Sequence, residues 1–190
     1  MPKLSITRWD TSAIIYAAEA PDIKTLLECA VADNLDCYGA RLDGARLDGA
    51  SLDGARLVGA RLVGARLDGA SLVRARLDGA SLVRARLDGA SLVRARLVRA
   101  RLDGASLVRA SLDGAKYGAH EMAGPLLQIG NLAEWRTGLI AWQAKDSGLR
   151  IICGCRDFSI AEARAHWAER KDRPKTRLAL DLAELWYESL

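Results

Sequence analysis

Two thiols and an imidazole are the residues in this chain that could do chemistry by type and spacing. Cys153-Gly154-Cys155 places two thiols on one face of an extended segment, and His166 follows eleven residues later. Together they would offer three metal ligands, whereas structural zinc takes four at closer-set spacings. A redox pair would take the C-x-x-C form, which one intervening glycine does not provide. Cys153 and Cys155 therefore read as buried structural cysteines. His120 lies in a glycine-rich stretch with no Ser or Cys at motif spacing and reads as a lone exposed histidine. The many carboxylates between residues 40 and 114 recur at a fixed period, which marks a solvated surface rather than a tuned acid–base pair. Glycine recurs every five residues there, without the G-x-G spacing of a phosphate-binding loop. The expectation is a protein with no catalytic residue, no metal or cofactor site, and no enzymatic activity.

The elements that would position such residues are set by a single period. Ala recurs every five residues from Ala40 to Ala110, and Leu follows each Ala by two, from Leu42 to Leu112, giving fifteen consecutive A-x-L-x-x units over about 40% of the chain. A helix excludes this pattern, because five residues rotate a side chain about 140° past a full turn, so the leucines would scatter around the circumference. A continuous strand excludes it too, since an odd period sends alternate leucines to opposite faces. If the chain runs extended from Ala to Leu and then turns a corner, every Ala and Leu can point inward. Four such walls close a square of twenty residues.

On these units the chain resembles the pentapeptide-repeat family, in which the central residue is usually Leu or Phe and the residue two before it is small. Leu42 to Leu112 fill the first role and Ala40 to Ala110 the second, with Cys37 and Tyr117 in register as atypical end units. The resemblance covers about residues 35–119. It implies a mainly β fold, a right-handed quadrilateral β-helix or β-solenoid, here of about four coils with α+β caps at both ends. Some members of the family imitate DNA and protect or inhibit gyrase, a mimicry read as resting on acidic rows. The rows here are mostly Arg, Val and Ser, with partial Asp rows.

The outward positions use two residue types each: Arg or Ser before the Leu, Asp or Val after it, and Gly or Arg last. The block ARLDGASLVR occurs at 65–74, 75–84, 85–94 and 100–109. Recent tandem duplication and deliberate idealisation both fit, and the uniform inward positions favour a designed or consensus-built chain. Stacked coils would align Arg46, Arg66 and Arg86 beside Asp48, Asp68 and Asp88, so that the opposite row relieves like-charge repulsion. Val63, Val83, Val73 and Val93 would form mild apolar stripes.

Residues 40–114 hold fourteen Arg and eight Asp, whereas 1–39 hold three basic and six acidic side chains and 115–190 eleven and ten. A basic rod attracts nucleic acid or an acidic partner non-specifically, but no aromatic residue lies in the regular repeats to stack on bases, which argues against specific nucleic-acid recognition. Met1-Pro2-Lys3 is not followed by an apolar stretch of signal type, no apolar run approaches a membrane span, and four cysteines outside the regular repeats suit a reducing cytoplasm.

Residues 1–34 read as an N-terminal cap: strands Leu4–Trp9 and Ala13–Ala18, then a helix from about Asp22 to Ala32 with Ile23, Leu26, Leu27, Ala30 and Val31 on one side. Residues 35–119 are the solenoid. Residues 120–190 read as a C-terminal α+β cap, weakly similar to the segment after some bacterial and phage pentapeptide arrays. Its strands fall at Leu126–Ile129, Leu139–Gln143 and Leu149–Cys153, with turn signals at Gly130-Asn131 and Lys145–Gly148. A capping box at Ser159–Glu162 starts a helix through about Arg170, Arg173-Pro174 breaks it, and a last helix from about Thr176 to Glu188 carries Leu178, Leu182, Leu185 and Trp186 on one side. All five tryptophans, Trp9, Trp135, Trp142, Trp167 and Trp186, lie in these end segments. The functional expectation is a rigid, non-catalytic scaffold that requires no partner. The alternative is a bacterial or phage module that binds a protein such as a topoisomerase. Homodimerisation through the last helix or the Val stripes stays open.

Overall fold

The computed structural model describes residues 1–129, 139–153, 156–168 and 174–190, excepting the side chains of Pro125, Cys153, Pro174 and Lys175. Its centre is a β-solenoid in which each residue before a central Leu pairs in parallel with the residue twenty positions on, as in Arg46 with Arg66 and Arg66 with Arg86. Four five-residue units therefore complete one turn. We number the walls by their first alanines: Ala40, Ala60, Ala80 and Ala100 open the first wall, Ala45 the second, Ala50 the third and Ala55 the fourth.

The five-residue period follows from the backbone of one unit. In Leu42-Asp43-Gly44-Ala45 the Ala45 N–H donates to the Leu42 carbonyl at 3.1 Å, and Gly44 has φ +66°. A positive φ at the third residue of such a turn is the type II signature, which suits glycine. Every corner from Gly39 to Gly114 repeats this sign of φ, yet at five of them the residue is Arg: Arg74, Arg84, Arg94, Arg99 and Arg109, with φ between 56° and 60°. A left-handed conformation in a residue with a Cβ costs on the order of 1 kcal/mol.

Between coils, the residue before Leu donates back to an Ala carbonyl (Arg61 to Ala40, 2.8 Å), while Leu and the last residue donate forward (Leu42 to Arg61, 2.7 Å; Gly44 to Val63, 2.9 Å). Ala and Leu fill the interior. All fifteen leucines from Leu42 to Leu112 are at most 5% exposed, Leu72 and Leu92 among them at 1%. The inward column that the period demands is therefore present.

At the N-terminal end, β1 (Lys3–Thr7) pairs antiparallel with β2 (Ile14–Glu19), and α1 (Ile23–Ala32) follows. Asp22 caps α1 by accepting from the Thr25 N–H at 2.8 Å, and Asn34 at φ 56° lets the chain leave it. These elements satisfy the open edge of the first coil. Thr7 O accepts from the Arg41 N–H at 2.7 Å, a Glu28 carboxylate oxygen accepts from the Ser51 N–H at 2.8 Å, and Lys24 donates to the Asp48 carbonyl at 3.0 Å. Leu26, Leu27 and Ala30 of α1 join the solenoid interior in one continuous core.

At the other end, β3 (Lys116–Tyr117), β4 (His120–Ile129), β5 (Leu139–Ala144), β6 (Gly148–Cys153) and β7 (Arg156–Ser159) form an antiparallel meander in chain order. It is followed by α2 (Ile160–Ala168) and α3 (Pro174–Glu188). The β5 sequence LIAWQA is buried on both faces. Ile140, Trp142 and Ala144 face the solenoid core, while Leu139 and Ala141 pack with Leu149, Ile151, Trp167 and the α3 residues Ala179, Leu180 and Ala183. Gln128 in β4 stands in for a missing coil: its amide donates to the Ala105 carbonyl at 2.6 Å and its carbonyl oxygen accepts from the Leu107 N–H at 2.8 Å.

The expected strands Leu126–Ile129, Leu139–Gln143 and Leu149–Cys153 are shorter than β4, β5 and β6, whereas the expected Leu4–Trp9 runs two residues past β1, and β7 adds a strand. The capping box is formed, with Ser159 N–H donating to Glu162 at 2.7 Å and Glu162 N–H to Ser159 Oγ at 3.2 Å. In α3 the packing face differs from the expected one. The helix buries its small residues Ala179 and Ala183 with Leu180, because small side chains let it approach the sheet, and it leaves Leu178, Leu182 and Leu185 exposed. The turn at Gly130-Asn131, Trp135 and Arg173 lie outside the described residues.

Because the Arg84 corner sits at φ 56° in solvent, Arg84→Gly should raise stability by about 0.5–1 kcal/mol. Urea denaturation checks this; an unchanged or lowered midpoint contradicts it.

Candidate functional site

The outward residues of the walls are the surface this fold offers, and hydrogen-bond accounting explains their two-letter code. Of the five N–H groups in a unit, four have backbone acceptors in the turn or the neighbouring coils. The fifth, on the residue after Leu, points outward and has none. An Asp at the same position one coil earlier supplies the acceptor: Asp43 Oδ1 takes the Val63 N–H at 3.1 Å, Asp53 that of Val73 at 3.0 Å, and Asp48, Asp68, Asp78 and Asp88 those of Asp68, Asp88, Val98 and Val108 at 3.2–3.3 Å. The second oxygen of the carboxylate reaches sideways to the residue eighteen positions on. Arg61 pairs with Asp43 and Arg66 with Asp48 at 3.1 Å, Arg86 with Asp68 at 2.7 Å and Arg96 with Asp78 at 3.1 Å. Where Ser replaces Arg, its hydroxyl donates to the Asp instead, as Ser71 does to Asp53 and Ser106 to Asp88. These carboxylates are structural, and the expected pairing of Arg rows with Asp rows is present. Sequence reasoning found the rows but not the N–H that each Asp serves, since that role exists only between coils.

The fourteen repeat arginines fall into three groups, of which Arg41, Arg46 and Arg76 stand before a central Leu and form no ion pair among the described residues. Arg56, Arg61, Arg66, Arg86, Arg96 and Arg101 hold carboxylates. The five corner arginines are exposed and form no ion pair among the described residues. An open furrow of about 440 Å³ runs along the edge between the third and fourth walls, lined by Arg74, Arg94, Val73 and Val93 with Asp53 and Asp113.

Of the residues first considered for chemistry, the structure describes the side chains of His166 and His120. Cys155 lies outside the described residues, as does the side chain of Cys153, so their expected burial and any bond between them lie there too. His166 stacks on Phe158 at 5.3 Å and meets Trp167 edge-on at 5.0 Å, in an aromatic cluster. No group of three metal-ligating side chains occurs among the described residues. His120 is not a lone exposed histidine. The turn between β5 and β6 brings Asp146 Oδ1 and Ser147 Oγ to 3.2 and 3.1 Å from its Nδ1, and the ring holds Asp146 below its ordinary pKa. Both partners crowd the same nitrogen, whereas a nucleophile–base–acid array needs them on opposite nitrogens. The sequence signal missed was the Asp146-Ser147 turn, read only as a turn. Cys37 is wholly buried, and burial, with a smaller push from Asp36, raises its thiol to about 11.

Residues 36–72 and 80–116 match the family described as pentapeptide repeats, in 8 copies. No curated protein matches the chain. Among solved structures it is similar to a pentapeptide repeat protein of the cyanobacterium Cyanothece 51142, at 32% identity over 42% of this chain and 54% of that one, with a TM-score of 0.31. The chain thus spans about half the length of that relative. A second pentapeptide repeat protein, from Nostoc PCC 7120, is 30% identical over 52% of this chain and 84% of that one, with a TM-score of 0.35. A third, from the Arabidopsis thaliana thylakoid lumen, is 18% identical over 54% and 68% of the two chains, with a TM-score of 0.28.

Two predictions follow from this geometry. Asp68→Asn keeps an acceptor for the Asp88 N–H and loses only the surface pair to Arg86, so it should cost about 0–1 kcal/mol; Asp68→Ala loses both and should cost about 1 kcal/mol more. Equal losses in thermal unfolding would contradict the N–H role. At pH 8, iodoacetamide followed by peptide mass mapping should modify the exposed Cys29 and spare Cys37, whose thiol stays protonated well above that pH.

Proposed function

Since the chain belongs to the pentapeptide-repeat family, we propose that its role is non-catalytic and structural: a rigid rod that holds its outer residues in fixed rows. The proposed domains are an N-terminal cap (1–34), a right-handed four-sided solenoid of about four coils (35–119) and a C-terminal α+β cap (120–190). The observation that carries this reading is the use made of the repeat carboxylates. Asp43, Asp48, Asp53, Asp68, Asp78 and Asp88 each hold an N–H of the next coil, so the charged groups that a catalytic surface would need free are bound into the wall. The contacts of Glu28 and Gln128 with the end coils support the assignment of caps, because open solenoid ends are what such segments cover.

A second reading has its own support. Leu178, Leu182 and Leu185 are exposed on one side of α3 at i, i+4 and i+7, the spacing of an unpartnered apolar stripe. Two copies of the chain would cover it.

Small-angle scattering with solution mass is the test. A single-chain elongated particle that leaves gyrase supercoiling unchanged is expected for the scaffold. A particle of two chains that reverts to one on Leu182→Glu moves the assignment to the dimer, and a dose-dependent effect on supercoiling moves it to a topoisomerase-binding module.

A further inference from the structure

We propose that the fourth wall of the solenoid binds nucleic acid through its phosphates, without regard to base sequence. The wall carries an unbroken column of cations, Arg56, Arg76, Arg96 and Lys116, paired coil to coil and so stacked about 4.8 Å apart. Arg74 and Arg94 form a second column along one edge, and Arg99 stands at the opposite edge. No other wall is built this way. The third presents Ser51, Ser71, Ser91 and Ser111 in that column, and Ser81 and Ser106 interrupt the first and second.

The fourth wall has two carboxylates, and both are engaged: Asp36 by Arg56 at 2.9 Å and Asp78 by Arg96 at 3.1 Å. Arg74, Arg76, Arg94, Arg99 and Lys116 are exposed and form no ion pair among the described residues. Glu121, whose carboxylate feels Arg94 and Lys116, is bonded to Lys145.

The backbone supplies an independent observation. Three of the five left-handed arginines, at φ 60°, 57° and 60°, flank this wall. Gly54 and Gly114 occupy the same corner column as Arg74 and Arg94, so glycine serves that turn without strain. Strain held in place where a cheaper residue fits points to what the side chain does outside the molecule.

The chemistry of the partner follows from the layout. The cations lie side by side on an open wall, with an open furrow along each edge, one lined by Asp53 and Asp113 and the other by Gly59, Gly79 and Arg61. A discrete anion meets no enclosing pocket there, whereas a chain of phosphates meets several guanidinium forks at once. The outward apolar side chains of the wall are Val58 and Val98, neither fully exposed, and Tyr38 at its head, whose ring is covered by the Arg8 guanidinium at 4.9 Å; three such side chains give no continuous apolar face to insert into a bilayer. No aromatic residue stands among the five cations to stack on bases, so contact with the backbone positions the strand and reads no sequence.

The test is fluorescence anisotropy of a labelled duplex of roughly 20 base pairs and arbitrary sequence, titrated with the whole chain at about 50–200 mM salt. Four or five neutralised phosphates give a slope of log K against log salt of about −4. The variant Arg74→Gly/Arg94→Gly/Arg99→Gly should bind about tenfold or more weakly at low salt, with a slope shallower by about 3, while its thermal midpoint rises. Arg84→Gly, at a corner away from this wall, should raise the midpoint and leave duplex affinity unchanged. Undiminished binding by the triple variant, binding of phosphatidylserine vesicles but not duplex, or binding of neither overturns the proposal.

Discussion

One requirement governs this molecule: every backbone N–H of a chain that turns a corner each five residues must find an acceptor. The type II turn takes one, the neighbouring coils take three, and the residue after Leu keeps one that no backbone carbonyl reaches. Asp at that position supplies the acceptor from the coil before; its second oxygen recruits Arg from the coil after, whereas Ser donates to the same oxygen that takes the N–H. The surface code of this chain is the consequence. Where Val stands instead, as at Val58, the residue one coil on has no carboxylate to take its N–H and the neighbouring cation has no carboxylate at that position to pair with. Arg76, one coil after Val58, is such a cation.

The corner residues show the same economy with the opposite sign. The third position of a type II turn favours glycine, yet five corners carry Arg with φ near 60°. All five lie within 74–109, in the stretch where the ten-residue block recurs. Four of them close a copy of that block, and Arg99 lies between two copies.

The two ends solve a different problem, since a solenoid terminates in unpaired edge groups and an open apolar bore. The N-terminal hairpin and α1 meet it with Thr7, Glu28 and Lys24 and with Leu26 and Leu27 in the bore. The C-terminal sheet meets it with Gln128 and with Ile140 and Trp142. Strand β5 belongs to two cores at once, which is why its sequence lacks the polar alternation of a one-sided strand. No helix among the described residues is long and apolar enough to cross a membrane.

The amino-acid order alone determined the interior. A strict period of five with Leu two after Ala is incompatible with a helix or a flat strand, so a coil of short walls with those residues inward was legible before any coordinate. Glycine at the corners, the capping box at Ser159 and the apolar stripe of α1 were legible for the same reason, as each is a contact within a few residues along the chain. What tertiary structure alone decided are relations across twenty residues or more. These include which N–H each Asp serves, which arginines are paired and which stand free, the outward face of Leu178, Leu182 and Leu185, and the approach of Asp146 and Ser147 to His120. Residues so far apart in sequence meet only once the coils stack and the sheet closes on them, and an alternation of Asp with Val or Arg with Ser carries no trace of its partner until the coil above it is in place.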